Sequence, residues 1–228
     1  MRVACLQYST QVGQVNSNLN RADAILGSTS PGDLQALDLL VLPELAFSGV
    51  FLPYPHRARL HLDMRTTNGF EGYNFKSLQH ISPFLEPAAS GISSLWSRTT
   101  ALKYNCTVVV GYPEKVDASV RWPTSPEYYN SAVIASCDGE AAGNYRKSFL
   151  YSIDETWALE SKAGFFQSRF PALGKVAMGI CMDIKFVLAL LVPTAPRSPL
   201  LLTTAMQLVR IGLKHRGPPS NSPLTSGG

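Results

Sequence analysis

The amino-acid sequence predicts an α/β fold built on a mixed β-sheet. Segments with helical spacing of apolar residues alternate with short apolar runs that are typical of buried strands. Some strand-like runs, such as residues 106–110 and 129–135, follow one another without an intervening helix. A simple doubly wound parallel sheet would place a helix between such neighbours, so the sheet is predicted to be mixed.

The predicted elements are short strands and two longer helices. The strands are apolar runs bounded by proline, glycine or polar residues, at residues 2–7, 37–42, 106–110, 129–135 and 175–180. The helices cover residues 16–26 and 90–104. The second helix is predicted to be amphipathic, through Ile92, Leu95, Trp96, Thr99 and Leu102.

The composition is that of a globular protein. With 228 residues, of which 45% are hydrophobic and 16% charged, the chain can form one sizeable domain with its own core. The cysteines form no C-x-x-C pair, which favours free thiols over a disulfide framework or a zinc site. No secretory signal is evident, and the longest apolar run, residues 186–192, is too short to span a membrane. We therefore expect a cytoplasmic protein with no membrane partner.

The net charge of +4 is concentrated at one end of the chain. Residues 185–228 contain five basic residues and no acidic residue, so residues 1–184 hold the other 15 basic residues and all 16 acidic residues. A nucleic-acid-binding surface would need basic groups clustered on a folded face. We therefore predict no nucleic-acid partner.

Three residues next to predicted strands or turns could carry covalent chemistry. Cys181 follows a strand and could attack a carbonyl carbon as a thiolate, although a single cysteine is more often buried and inert. Glu44 follows an apolar strand and could act as a base, the alternative being an exposed loop acid. Lys147 could stabilise a thiolate and an oxyanion, the alternative being a solvated cation.

Histidine is a poor candidate for the base that would activate Cys181. Of the four histidines, His56 and His61 lie in an irregular stretch and His215 lies in the basic tail. Only His80 lies in the regular body of the chain. A carboxylate base is therefore the better partner for the cysteine.

Three motifs in order resemble those of the carbon–nitrogen hydrolase (nitrilase) superfamily. They are Leu-Pro-Glu at 42–44, Tyr-Arg-Lys at 145–147 and Gly-Ile-Cys-Met-Asp at 179–183. Longer stretches at 43–49, 109–114 and 147–157 are similar to fungal protein N-terminal asparagine/glutamine amidases. The similarity covers residues 1–49 and 73–184.

This resemblance implies a four-layer α-β-β-α sandwich with Glu44, Lys147 and Cys181 as the catalytic triad. Glu44 would take the thiol proton, and Lys147 with a backbone N–H near Met182 would hold the oxyanion. Glu155 matches a second acid that the superfamily often places beside the lysine, the alternative being a surface acid. No metal and no organic cofactor would be needed.

The implied reaction is the hydrolysis of a carboxamide through a cysteine thioester, with release of ammonia. The implied substrate is an N-terminal Asn or Gln of a protein or peptide, within an N-degron pathway. An acid must then meet the substrate α-ammonium, and Asp154 and Asp183 are candidates by charge. The alternatives are a small-molecule amidase or acyltransferase of the same superfamily, or an inactive truncated fragment.

Two segments depart from the family pattern. Joining Gly49 to Tyr73 would restore Ser-Gly-Tyr, so residues 50–72 are predicted to be an insertion, with a lid loop as the alternative. The hydrolase domain is predicted to cover residues 1–184, followed by an atypical, partly disordered basic tail at 185–228. We therefore expect the C-terminal part of the family fold to be missing or altered.

Overall fold

The structure is a computed structural model. It describes residues 1–49, 75–88, 90–117, 126–170, 173–184 and 186, and the backbone of 200–203. The predicted insertion at 50–72 lies outside the described residues, as does most of the predicted tail. In the described part of the chain, no helix has the length and apolar character needed to cross a membrane.

The larger sheet, sheet A, is mixed, as the sequence predicts. Its described strands are β1 (Val3–Cys5), β2 (Leu39–Val41), β3 (Glu86–Pro87), β4 (Thr107–Val116), β5 (Glu127–Ala135) and β6 (Ala141–Arg146). The order is β1-β2-β4-β5-β6, with β3 pairing to the far end of β4. Strands β1, β2 and β4 are parallel, whereas β5 is antiparallel to both β4 and β6. Strands β2 and β6 therefore run in the same direction and end at the same edge of the sheet.

A second sheet, sheet B, contains β7 (Phe166–Phe170), β8 (Gly174–Gly179) and β9 (Leu200–Thr203). Strand β8 is antiparallel to β7 and parallel to β9. Of these strands only β8 is predicted from the sequence, so β7 and β9 are additions to the prediction. The run of three leucines in β9 is short and stands among the prolines of the tail, which hide the strand pattern.

The two faces of sheet A are covered differently. Helices α1 (Val15–Ser28) and α4 (Ile92–Tyr104) pack on one face, around a core that includes Leu26, Val110 and Val133. Sheet B packs on the opposite face through a second core, which includes Val109 and Met178. The described residues thus supply α, β and β layers in the order expected for the α-β-β-α sandwich. Two shorter α-helices are α2 (Pro31–Gln35) and α3 (Leu78–Ile81), and 3₁₀ turns lie at Ser82–Phe84, Asp154–Thr156 and Cys181–Asp183.

Helix α4 does not bury the apolar stripe that the sequence suggests. Leu95 and Leu102 are 63% and 59% exposed, whereas Ser97 and Ala101 are fully buried. Small side chains let the helix approach the sheet closely, and the Ser97 hydroxyl is satisfied by donating to the Ser94 carbonyl at 2.8 Å. Helical spacing was therefore detected correctly, but the residue sizes required by close packing decide which face is buried.

Candidate active site

The predicted triad residues lie just beyond the ends of three strands. Glu44 follows β2 and Lys147 follows β6 at the same edge of sheet A, and Cys181 follows β8 of sheet B. The Lys147 amide donates to the Asn130 carbonyl at 2.8 Å, which fixes the start of the lysine loop on strand β5. Side chains alternate between the two faces of a strand, so Asn130 lies on the same face of β5 as Ala132 and Ile134, which face sheet B. The site therefore lies between the two sheets.

Lys147 is fully buried and is held between two carboxylates. Its Nζ donates to Glu44 Oε1 at 2.8 Å and to Asp154 Oδ2 at 2.6 Å. Burial alone would lower the pKa of Lys147, but Glu44, Asp154 and the nearby Cys181 outweigh burial and raise it. The lysine therefore stays charged, and it can act on the site as a fixed cation.

Asp154 is also fully buried, and only one of its two carboxylate oxygens has hydrogen-bond donors among the described residues. Its Oδ2 accepts from Lys147 and, at 3.3 Å, from the Tyr151 amide, while Oδ1 has no hydrogen-bond partner among the described residues. Burial and then the charge of Glu44 raise the pKa of Asp154. Two carboxylates share one cation, so the cluster is suited to hold an additional proton.

The acid that contacts Lys147 is Asp154, whereas Glu155 is exposed, as in the surface-acid alternative given above. Both belong to the 3₁₀ turn Asp154–Thr156, in which successive side chains point about 120° apart. Asp154 points inward, while Glu155 is exposed and lines a surface cleft of about 780 Å³ together with Tyr129 and Leu159. With two adjacent acids in the sequence, only the phase of this turn decides which one reaches the lysine.

Asn130 is a residue of the site that the sequence analysis missed. It is fully buried, and its Nδ2 donates to Glu44 Oε1 at 2.6 Å. Asn130 and Lys147 thus both donate to Oε1 of Glu44. An available signal was the asparagine inside an apolar strand, since asparagine is depleted in strands and a buried amide needs partners.

The turn that carries Glu44 is held tightly against β4. The Leu42 amide donates to the Val109 carbonyl, and the Ala46 amide donates to the Gly111 carbonyl. A Cβ on Gly111 would lie 2.7 Å from Glu44 Cα, so only glycine fits at that position. The close approach of the two backbones fixes Glu44 relative to sheet A.

Cys181 lies at a sharp turn from strand β8 into a short 3₁₀ turn, Cys181–Asp183. Its φ of +48° is in the left-handed region, which costs a non-glycine residue on the order of 1 kcal/mol. A strained strand-to-helix turn of this kind is a known way to present a nucleophile. Met182 is the second residue of this turn, and the first N–H groups of a helical turn have no acceptor inside it. These features suit attack by Cys181 with an oxyanion near the Met182 amide.

Asp183 is placed differently from the sequence prediction. It is fully buried, and its oxygens accept hydrogen bonds from the Tyr145 hydroxyl and the Ile180 and Phe149 amides. Burial raises its pKa. A carboxylate engaged in this way is not available to meet a substrate ammonium, so its role is inside the protein.

The chain belongs to the carbon–nitrogen hydrolase family. The family profile, described as Carbon-nitrogen hydrolase, matches residues 2–221, and so runs beyond residue 184, where the motif similarity ends. A protein N-terminal amidase from Schizosaccharomyces pombe is 31% identical over 186 residues, which cover 81% of this chain and 55% of the relative. A 2-oxoglutaramate amidase from Bacillus subtilis is 27% identical over 186 residues, which cover 81% of this chain and 56% of the relative. The chain spans about half the length of these curated relatives.

A solved structure gives the same assignment at the level of the fold. The crystal structure of an N-terminal amidase with an Asn-Glu-Ala peptide superposes with a TM-score of 0.62 and 25% sequence identity. The match covers 81% of this chain and 41% of that chain. The α/β architecture described above is therefore the nitrilase-like fold that the motifs implied.

Proposed function

We propose that the protein hydrolyses a carboxamide through a thioester on Cys181 and releases ammonia. The observation that carries this proposal is the buried Lys147 held between Glu44 and Asp154, beside a cysteine in a strained turn. Such a cluster supplies a base, a fixed cation and a nucleophile within one site. Membership of the carbon–nitrogen hydrolase family supports the same chemistry.

The first half of the proposed reaction forms the thioester. Glu44 Oε2 takes the proton of Cys181, and the thiolate attacks the carboxamide carbon. The oxyanion is stabilised by the Lys147 ammonium and the Met182 amide. Glu44 then returns the proton to the leaving nitrogen, the C–N bond breaks, and ammonia departs. Lys147 serves as an electrostatic group and not as a proton donor, because its pKa is raised by the neighbouring carboxylates despite burial.

The second half of the reaction hydrolyses the thioester. Glu44 deprotonates a water molecule, which attacks the acyl carbon, and the bond from carbon to sulfur breaks. The carboxylic acid leaves, and Cys181 recovers its proton. One amide and one water are consumed for each acid and ammonia produced, so no oxidant or other co-reactant is required.

The proposed substrate is a protein or peptide whose first residue is Asn or Gln. The relative from S. pombe is named for this position, and an N-terminal amidase has been crystallised with an Asn-Glu-Ala peptide. A deamidated N-terminus would be the product handed to an N-degron pathway in the cytoplasm. A second candidate is a free small amide, because the B. subtilis relative is a 2-oxoglutaramate amidase.

Mass spectrometry of a peptide beginning with Asn tests the proposal. Replacement of the amide by an acid raises the peptide mass by about 1 Da, and one ammonia should appear for each converted peptide. Cys181→Ala should lose both signals. Cys137→Ala is a matched control because its thiol is exposed and it follows the end of β5 that pairs with the start of β6, whereas Lys147 follows the end of β6. Turnover of 2-oxoglutaramate with an unchanged peptide would favour the second candidate. Ammonia release that persists in Cys181→Ala would contradict the proposal.

A further inference from the structure

The nucleophile and the cation of the site are carried by different sheets. Cys181 follows β8 of sheet B, and Lys147 follows β6 of sheet A. Strands of separate sheets share no backbone ladder, so the relative position of the two groups depends on contacts between their turns. These contacts join residues that flank Lys147 in the chain to residues that follow Cys181.

Asp183 makes the main connection between the two turns. Its Oδ1 accepts from the Phe149 amide at 2.8 Å, and its Oδ2 accepts from the Tyr145 hydroxyl at 2.7 Å. The same Oδ2 accepts from the Ile180 amide at 2.8 Å, which closes the turn around Cys181 itself. One carboxylate therefore binds the residues on both sides of Lys147 and the residue just before the nucleophile.

An aromatic contact joins the same two segments at a second point. Phe186, from the chain after the nucleophile, stacks on Phe149 with ring centroids 3.9 Å apart and planes 20° apart. On the lysine side, the Tyr145 hydroxyl lies 3.0 Å from Ser148 Oγ, so the tyrosine is itself held in place. We name Tyr145, Phe149, Asp183 and Phe186 the elbow clamp.

We propose that Asp183 is a positioning residue, and that the elbow clamp holds the Cys181 sulfur at a fixed distance from the Lys147 ammonium. This inference rests on the proposed function of Cys181 as nucleophile. It departs from a role in substrate binding, because the carboxylate is fully buried and both of its oxygens are occupied.

The physical reason for such a clamp is the steep dependence of charge stabilisation on distance in a buried site. A thiolate is favoured by a nearby cation, and this attraction weakens as the turn moves away or as water enters. The left-handed φ of Cys181 is also unfavourable in isolation, so the surrounding contacts must hold it. Loss of Asp183 would release the turn and allow the sulfur to move away from Lys147.

Alkylation of Cys181 by iodoacetamide tests the clamp without reference to any substrate. The rate is followed across pH on the whole 228-residue chain, by mass spectrometry of the peptide that contains Cys181. Asp183→Ala is expected to slow alkylation near neutral pH by about tenfold and to move the rise in rate to higher pH. The titratable groups that face the sulfur environment are Glu44, Lys147, Asp154, Tyr145 and Asp183, and only the last is changed.

A matched control separates positioning from loss of stability. Glu86 accepts from the amide and hydroxyl of Ser93 at the start of α4, away from the cysteine turn. Glu86→Ala should lower the melting temperature yet leave the Cys181 alkylation rate within about twofold. Tyr145→Phe removes a single donor to Asp183 and is expected to fold, with a smaller slowing of about threefold.

The outcomes distinguish the clamp from the proposed function. Wild-type alkylation rates and an unchanged pH profile in both Asp183→Ala and Tyr145→Phe would overturn the clamp, whatever happens to amide hydrolysis. A wild-type Cys181 that reacts no faster than the exposed Cys137 would overturn it as well. Slow alkylation in Asp183→Ala, together with amide hydrolysis that persists in Cys181→Ala, would support the clamp but contradict the proposed function.

Discussion

Two ion networks built on buried carboxylates lie on opposite faces of sheet A, and consecutive residues of the chain supply their cations. Arg146 faces the helix side and pairs with Glu114, while Lys147 faces sheet B and pairs with Glu44 and Asp154. The preceding strand repeats this division, because Ser131 donates to Glu114 and Asn130 donates to Glu44.

The Glu114 network is fully satisfied. Its Oε1 accepts from Arg146 at 2.6 Å, and its Oε2 accepts from Arg146, Ser131 and Asn144 at 2.9, 2.6 and 3.0 Å. The guanidinium also lies 4.3 Å from the centre of the Tyr129 ring. One anion meets one cation here, so the charge of Glu114 is fully paired.

The Lys147 network is unbalanced by comparison. Two carboxylates meet one cation, and Asp154 Oδ1 and Asn130 Oδ1 lack partners among the described residues. Buried acceptors without donors are costly, and they are retained where a proton, a water or a substrate completes them. The contrast between the two faces teaches that incomplete satisfaction, and not burial of charge as such, marks the candidate active site.

The largest expected effect comes from replacing each of the two cations by methionine in a separate variant. Lys147→Met should lower kcat/KM for amide hydrolysis by about a thousandfold, because the oxyanion and the thiolate lose their cation. Arg146→Met leaves Glu114 buried and unpaired, and should therefore lower the free energy of unfolding by about 3 kcal/mol. Its kcat/KM is expected to stay within about tenfold of the wild type. Ammonia release and urea unfolding measure the two quantities, and equal losses of activity in both variants would remove the distinction.

The next effect concerns the adjacent acids of the 3₁₀ turn. Asp154→Asn should reduce kcat by about a hundredfold, since it removes a charge that holds the Lys147 ammonium. Glu155→Gln changes an exposed side chain and should leave kcat within about twofold. Steady-state rates of ammonia release decide the matter. A larger loss in Glu155→Gln than in Asp154→Asn would restore the assignment suggested by sequence comparison.

A smaller effect is expected from the neighbouring polar residues of β5. Asn130→Ala removes a hydrogen bond to the proposed base and should lower kcat by about tenfold. Ser131→Ala removes a hydrogen bond to Glu114 and should cost about 1 kcal/mol of stability with kcat unchanged. Kinetic assays and denaturant unfolding of both variants test this division between the two faces. A kinetic loss in Ser131→Ala equal to that in Asn130→Ala would show that the faces are not separate.

The smallest effect is a pH dependence of stability. Because burial and Glu44 raise the pKa of Asp154, the folded chain retains this proton to higher pH than the unfolded chain. The contribution of a raised carboxyl pKa is therefore present at low pH and is lost as pH rises through the folded-state value. The stability of the wild type relative to Asp154→Asn should fall over that interval in denaturant unfolding. A relative stability that rises with pH would mean that the pKa of Asp154 is lowered instead.

The sequence predicts the site residues at the strand ends, but it does not predict which side chains hold them in place. Glu44, Lys147 and Cys181 each belong to a short motif beside a strand, so linear order and residue type pointed to them. Asp154 and Glu155 could not be separated, because the phase of a 3₁₀ turn is not visible in the sequence. Asp183 is predicted to meet the substrate ammonium by its charge alone, and its burial is not visible in the sequence because its three donors come from residues 3 to 38 positions away in the chain.

The fold shows the same division between local and non-local information. The apolar runs of β1, β2, β4, β5 and β8 were detected, because each carries its pattern within a few residues. Strand β6 reads Ala-Ala-Gly-Asn-Tyr-Arg, with little apolar character, and its pairing with β5 is what makes it a strand. The buried face of α4 also depended on the closeness of its packing partner. Tertiary contacts therefore decided the elements that local patterns did not.

The most direct test of the account is the intact mass of the acid-quenched chain after brief incubation with a peptide beginning with Asn. A thioester adds the mass of the peptide less about 17 Da, the mass of the ammonia released. We expect this adduct to be located at Cys181 of the enzyme, with less of it in Lys147→Met and none in Cys181→Ala. Peptide deamidation that proceeds in Cys181→Ala, or an adduct located on another residue, would contradict the account.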